Sequence, residues 1–219
     1  VMKHTMTLFI ALSLLLAVTG CDGHMDVPST AMQPGHILCT DGKPMSYEEC
    51  MKTGKEPIAV VFYVNHDENV QGQGYAVYLH DVGMEQFADS IGVSQGTSAD
   101  LSSLDGNENT FALYDATAVS SPMGELVFDM WKHGQSAYIP SVAQMRLLYY
   151  AKNTINPFIE ALGGAPLPDD ADNCWYWTST EVDGQQTAKA WLYSLGSGTI
   201  QETPKIQAHK VRPIVTINQ

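Results

Sequence analysis

Hydrophobic periodicity changes twice along this chain, and that alternation limits the folds open to it. Ile58 to Val64 is a run of β-branched and aromatic residues, and Tyr75 to His80 is another; a polar, glycine-containing stretch from Asn65 to Gly74 separates them, as in a hairpin. From Ser121 the period becomes helical. Ser121-Pro122 supplies an N-cap and a first-turn proline, and Met123, Leu126, Val127, Met130 and Trp131 then form one apolar stripe that Gly134 ends. Ser141 opens a second helix with Val142, Met145, Leu148 and Tyr149 on one face. Asn156-Pro157 reads as the restart of a short third helix ending at Gly163-Gly164, and a further helix is expected over Asn109 to Ala116. After the Pro- and Asp-rich stretch from Gly163 to Asp172, strands return at Cys174 to Ser179, Ala188 to Ser194 and Val211 to Ile217. Strands, helices and strands again imply an α+β domain, with its first and last strands expected as neighbours.

Ahead of this domain, Lys3 precedes an uncharged apolar run from Leu8 to Val18, too short to cross a bilayer and laid out like a secretory signal. The run ends in Leu16-Ala17-Val18-Thr19-Gly20-Cys21, which resembles the lipobox of bacterial lipoproteins. That resemblance implies a signal peptide over residues 1–20 and a lipid on Cys21. It also implies a membrane partner reached through the lipid anchor and a place in the bacterial cell envelope; the outer membrane or cell surface is the preferred location, with the inner membrane as the alternative. Two or more acyl chains hold a protein stably on a membrane without a spanning helix. The alternative is an ordinary signal peptide with a chance cysteine. Residues 21–36 contain Gly23, Pro28, Ser29, Thr30, Pro34 and Gly35 without apolar periodicity and read as a flexible stalk, leaving residues 37–219 as the folded domain.

The chain carries 24 acidic residues against 11 lysines and arginines, a formal net charge of −13. This balance repels phosphate backbones and argues against nucleic-acid binding. Besides Cys21 there are three cysteines, Cys39, Cys50 and Cys174, so at most one pair can close among them. Cys39 with Cys50 would close a short loop, worth about 2–3 kcal/mol; the alternative is three reduced thiols. No Cys-x-x-Cys or Cys/His spacing points to a metal, and His66, His80, His133 and His209 show no ligand spacing. Asp169, Asp170, Asp172 and Asn173 could gather calcium, but they depart from EF-hand spacing and read better as a solvated loop. There is no Gly-x-Ser-x-Gly elbow or His-Glu-x-x-His helix, so no catalytic residue, metal ligand or cofactor is assigned.

Three stretches are more specific than their composition: Tyr138-Ile139-Pro140-Ser141, Tyr176-Trp177-Thr178-Ser179-Thr180-Glu181 and Val211-Arg212-Pro213-Ile214. With Ala190-Trp191 and Gly198 between them, their order resembles the lectin-like C-terminal domain of bacterial collagen-like adhesins and paralogous surface lipoproteins of gut anaerobes, over roughly residues 55–217. The resemblance implies a C-type-lectin-like fold, two or more helices on a small, twisted, mostly antiparallel sheet with paired terminal strands. Formylglycine-generating enzymes of that fold rely on cysteines near its C-terminal part, where this chain has only Cys174, and the calcium-lectin triplets Glu-Pro-Asn, Gln-Pro-Asp and Trp-Asn-Asp do not occur. Trp177 and Trp191 read as core residues, Ser179 and Glu181 as partners of turn backbone, and Arg212 as paired with a carboxylate such as Glu181.

The implied function is non-catalytic recognition or adhesion of an unknown glycan or protein partner. Trp175, Tyr176, Glu181, Gln185, Gln186 and Tyr193 form the candidate face, because aromatic and amide side chains combine rigid contact area with adaptable hydrogen bonds. The alternative for Trp175 and Tyr176 is a place in the core. The other functional readings are a structural or assembly subunit of an envelope complex or appendage, and an enzyme with an unrecognised site.

Overall fold

A computed structural model describes residues 31–67, 72–132, 136–170 and 172–218. The expectations for the signal peptide, for Cys21, for the stalk through Thr30 and for the helix stop at Gly134 lie outside them. In chain order the described elements begin with β1 (Ile37–Cys39), β2 (Pro44–Met45), α1 (Tyr47–Thr53), β3 (Pro57–Val64), β4 (Gly74–Tyr78) and β5 (Gly83–Gln86). Three helices follow, α2 (Gly106–Asp115), α3 (Pro122–Lys132) and α4 (Val142–Ala161). The last elements are β6 (Trp175–Glu181), β7 (Lys189–Ser194), β8 (Ile200–Pro204), β9 (Ala208–Val211) and β10 (Ile214–Ile217).

The domain is α+β, with two mostly antiparallel sheets rather than the single small one expected. The first runs β10-β4-β3-β1-β2. Its β3–β4 hairpin is as read from the sequence, but β10 pairs with β4, Ile214 opposite Val77, instead of with β3. The other edge of β3 is taken by β1, Ile37 opposite Val60, a strand too short to register as a period. Packing also begins inside the residues assigned to the stalk, since the Gly35 N–H donates to the Val61 carbonyl at 2.8 Å and His36 is buried.

The second sheet runs β5-β9-β6-β7-β8, with β6 and β9 meeting in parallel at Tyr176 and Lys210. Val211 to Ile217, expected as one strand, is divided between the sheets. Pro213 has no N–H to give a ladder, and the Arg212 side chain turns into the molecule. There Nε donates to the Tyr78 carbonyl (2.8 Å) and Nη2 to the carbonyls of Leu79 (3.0 Å) and Ala165 (2.8 Å).

Ser141 starts α4 with a capping box, its hydroxyl accepting from the Gln144 N–H and its own N–H donating to Gln144 Oε1. The expected break at Asn156-Pro157 does not occur, and α4 passes through Pro157. An interior proline costs about 3 kcal/mol. Two features offset it: Ile155 and Ile159 are fully buried, and the Asn156 amide bonds both the N–H and the carbonyl of Leu167, at 2.8 Å each.

Alternation along β3 and β4 feeds two cores, as expected of strands covered on both faces. Ile37, Val60, Phe62 and Val77 join Met145, Leu148, Ile155 and Ile159 of α4 in one cluster. Leu38, Ala59, Val61, Ala76 and Val215 join Leu113, Met123, Val127, Trp177 and Leu192 in the other. Trp177 is fully buried, donates Nε1–H to the Glu85 carbonyl at 2.9 Å and meets Phe87 edge-on.

Candidate functional site

The end of β6 carries a carboxylate, Glu181, into a site with no solvent contact, where an isolated charge would be prohibitive. Lys205, in the turn between β8 and β9 and equally buried, supplies the opposite charge by donating to Glu181 Oε1. The same ammonium donates to Gln95 Oε1 at 2.5 Å, to the Gln186 carbonyl, and at 3.4 Å to the Val93 carbonyl. It also lies 5.2 Å from the centre of the Phe87 ring. Burial pushes the Lys205 ammonium below its ordinary value, with Glu181 opposing that effect. Glu181 in turn accepts from the Gln95 N–H (2.8 Å) and the Ser94 hydroxyl (2.7 Å).

Three connections are thereby fastened to one cation: the long segment between β5 and α2, the β6–β7 turn and the β8–β9 turn. Backbone bonds lace them further, from Gly92 N–H to the Thr187 carbonyl (2.7 Å), from Lys205 N–H to the Ala188 carbonyl (3.0 Å) and from Phe87 N–H to the Lys205 carbonyl (3.0 Å). Gln95 must face its oxygen to the ammonium, which leaves its Nε2 buried without a partner. On the outside of this knot three apolar side chains face solvent, Ile91 (55% exposed), Val93 (39%) and Ile206 (44%). Loops held rigidly on a scaffold and carrying exposed apolar groups are a recurrent setting for binding.

The residues singled out from the sequence divide between surface and interior. Gln185 and Gln186 lie in the β6–β7 turn, half-buried, with Gln185 Nε2 donating to Glu202 Oε2 (3.1 Å) and Gln186 Nε2 to Asp183 Oδ1 (3.4 Å). Trp175 is half-buried against the Trp177 core. Tyr176, Glu181 and Tyr193 are buried and present no surface to a partner. Strand alternation places Tyr176 against the α4 core, where its hydroxyl donates to Asp81 Oδ2 at 3.3 Å, while Tyr193 packs on Tyr149.

Arg212 is paired with a carboxylate, but with Asp81, Nη1 to Oδ1 at 2.9 Å, and not with Glu181, which Lys205 has taken. Cys39 and Cys50 sit side by side, Sγ to Sγ 3.6 Å, as free buried thiols, and Cys174 lies apart beside the Ser194 hydroxyl. Asp169 pairs with the buried Lys152 at 2.5 Å. Among the described residues no group of three or more His, Cys, Asp or Glu side chains converges as a metal site.

Compared with known proteins, the chain matches no family model, and no curated protein is significantly similar to it. The site therefore has to be read from its own geometry. Sequence reasoning missed Lys205, Ser94, Gln95 and the three exposed apolar residues. The one available signal was a lysine framed by Pro204 and Ile206 in a chain poor in basic residues.

Proposed function

We propose that this chain is a lipid-anchored bacterial envelope protein whose C-type-lectin-like domain recognises a glycan or protein partner without chemical turnover. The observation that carries the reading is the Lys205–Glu181 knot. It ties together three loops that also carry the exposed Ile91, Val93 and Ile206 and the half-buried Gln185 and Gln186. Preorganisation of this kind lowers the entropy lost on binding. The fold assignment is supported by the order of elements and by the ends of the domain meeting in one sheet, β1 and β10 flanking the β3–β4 hairpin. The anchor is supported by the Leu16 to Cys21 sequence.

The test is a glycan and protein array probed with the purified chain and with the triple variant Ile91→Asp/Val93→Asp/Ile206→Asp. The expected result is a partner bound at least tenfold more weakly by the variant at an unchanged melting temperature. Undiminished binding by the triple variant refutes the assignment of the surface, and consumption of a bound molecule replaces recognition with catalysis.

A second reading, an assembly subunit, is favoured by one observation. Phe111 and Tyr114 are exposed one turn apart on α2, and Tyr114 stacks on Phe128 of α3 with ring centres 3.6 Å apart. An aromatic surface of this kind suits a flat protein contact. Self-association that Phe111→Ser/Tyr114→Ser abolishes would favour it.

A further inference from the structure

One face of the first sheet is not fully covered by the second sheet and the α2–α3 pair. There a cleft of about 410 Å³ opens, within the range of small-molecule sites. Its apolar floor comes from three strands, through Leu38, Ile58, Val215 and Ile217, and its rim is polar, with Asn107 and Thr216. Among the described residues no charged side chain lines it.

Tyr78 forms part of its wall. That residue is 5% exposed, and its hydroxyl has no hydrogen-bond partner and no accessible surface, so an acceptor in the cleft reaches it only as the wall gives. Most buried polar groups are paired, because an unmet donor forfeits its hydration. Burial pushes the Tyr78 phenol up to about 12, so at neutral pH it is an O–H donor waiting for an acceptor. An adjoining cleft shares Asn107, Tyr138, Thr216 and Asn218 with the first and adds two acidic residues, Asp105 and Glu108.

We infer that this cleft is a second binding site, independent of the loop surface, for an uncharged small molecule with an apolar body and a hydrogen-bond acceptor that takes the Tyr78 hydroxyl. The floor sets the apolar body, the unpaired phenol sets the acceptor, and the uncharged lining among the described residues sets neutrality.

Three ring compounds of one shape test each element: 1-indanone, with an acceptor; indane, without one; and indane-1-carboxylate, with a negative charge. They are titrated into the full chain while the methyl resonances of Leu38, Val215 and Ile217 are followed by NMR. The resonances of Val82 and Met130 report on a neighbouring cleft that shares Ile58 and Tyr78. The expected result is saturable shifts at Leu38, Val215 and Ile217, with indanone bound roughly five- to tenfold more tightly than indane, the worth of one net hydrogen bond, and the carboxylate bound weakest. Tyr78→Phe keeps the shape and removes the donor, and is expected to bind indanone and indane equally. Any of four outcomes overturns the inference: no shift at the three methyls, shifts confined to Val82 and Met130, equal binding of indanone and indane by the wild type, or an indanone preference retained in Tyr78→Phe.

Discussion

Lys205 and Glu181 form an ion pair in which neither side chain reaches solvent, and the pair joins the β8–β9 turn to the end of β6. Removing one partner strands the other charge, at a cost of about 3–5 kcal/mol. Lys205→Met is therefore expected to lower the unfolding free energy obtained from urea titration by that amount and to speed hydrogen exchange at Gly92 and Phe87, whose amides close the loops. Lys205→Met/Glu181→Gln is expected to regain much of the loss, because a neutral amide oxygen still accepts from the Gln95 N–H. A double variant no more stable than the single one would show that the pair contributes geometry rather than charge balance.

Alkaline pH is expected to unfold the domain. Burial raises the phenols of Tyr75, Tyr78, Tyr138, Tyr176 and Tyr193, those of Tyr78 and Tyr193 to about 12, and at Tyr176 the Asp81 carboxylate adds to the effect. Above pH 10 the unfolded chain releases these protons and the folded one does not. The stability they confer is thus complete below pH 10 and is lost as pH rises through the folded values, at about 1.4 kcal/mol per pH unit for each group. Urea midpoints measured between pH 8 and pH 12 should be level to about pH 10 and fall beyond it. A midpoint that stays level to pH 12 contradicts this account.

Cys39 and Cys50 are expected to bridge under a catalysed thiol–disulfide exchange. Their sulfurs are neighbours, whereas the Cys174 sulfur lies beside the Ser194 hydroxyl. Burial first, and then Cys50, pushes the Cys39 thiol up to about 12, so at neutral pH little thiolate exists and uncatalysed exchange should be slow. Mass spectrometry should show the loss of two hydrogens in a Cys39–Cys50 peptide, and the bridge should raise stability by about 2–3 kcal/mol. A bridge to Cys174 instead would refute the pairing.

Trp177→Ala removes a fully buried indole and its bond to the Glu85 carbonyl, so a loss of about 3–5 kcal/mol is expected in urea unfolding. An unchanged midpoint would mean that the side chain is not in the core.

Cys21→Ser tests the anchor. The expected product is an unprocessed precursor that incorporates no labelled fatty acid. A variant that is still lipidated and processed removes the basis for the envelope assignment.

Sequence patterning located the hairpin, α3 and α4, because each buries a continuous stripe whose period survives in the residues themselves. It failed where stability comes from elsewhere. β8, Ile200 to Pro204, has mostly exposed residues and exists because β7 offers it a ladder. α4 passes Pro157 because packing outweighs the local break. The candidate face was half legible: Gln185 and Gln186 are in a surface turn, but Tyr176, Glu181 and Tyr193 belong to the interior. Which side of β6 and β7 each residue faces depends on a register that composition does not encode. Lys205 was missed because its role arises from Val93, Gln95, Glu181 and Gln186, which are distant in sequence and meet only in the folded chain.

The placement of β10 bears on when this domain can fold. Ile214 completes the first sheet against Val77, and the whole second sheet and three helices lie in the chain between those partners. A polypeptide emerging vectorially, from a ribosome or through a secretion channel, cannot close that sheet until nearly all of the domain is through. Contacts this distant in sequence also make folding slow, on the scale of milliseconds to seconds. The topology thus delays commitment to the native state until the last strand is available.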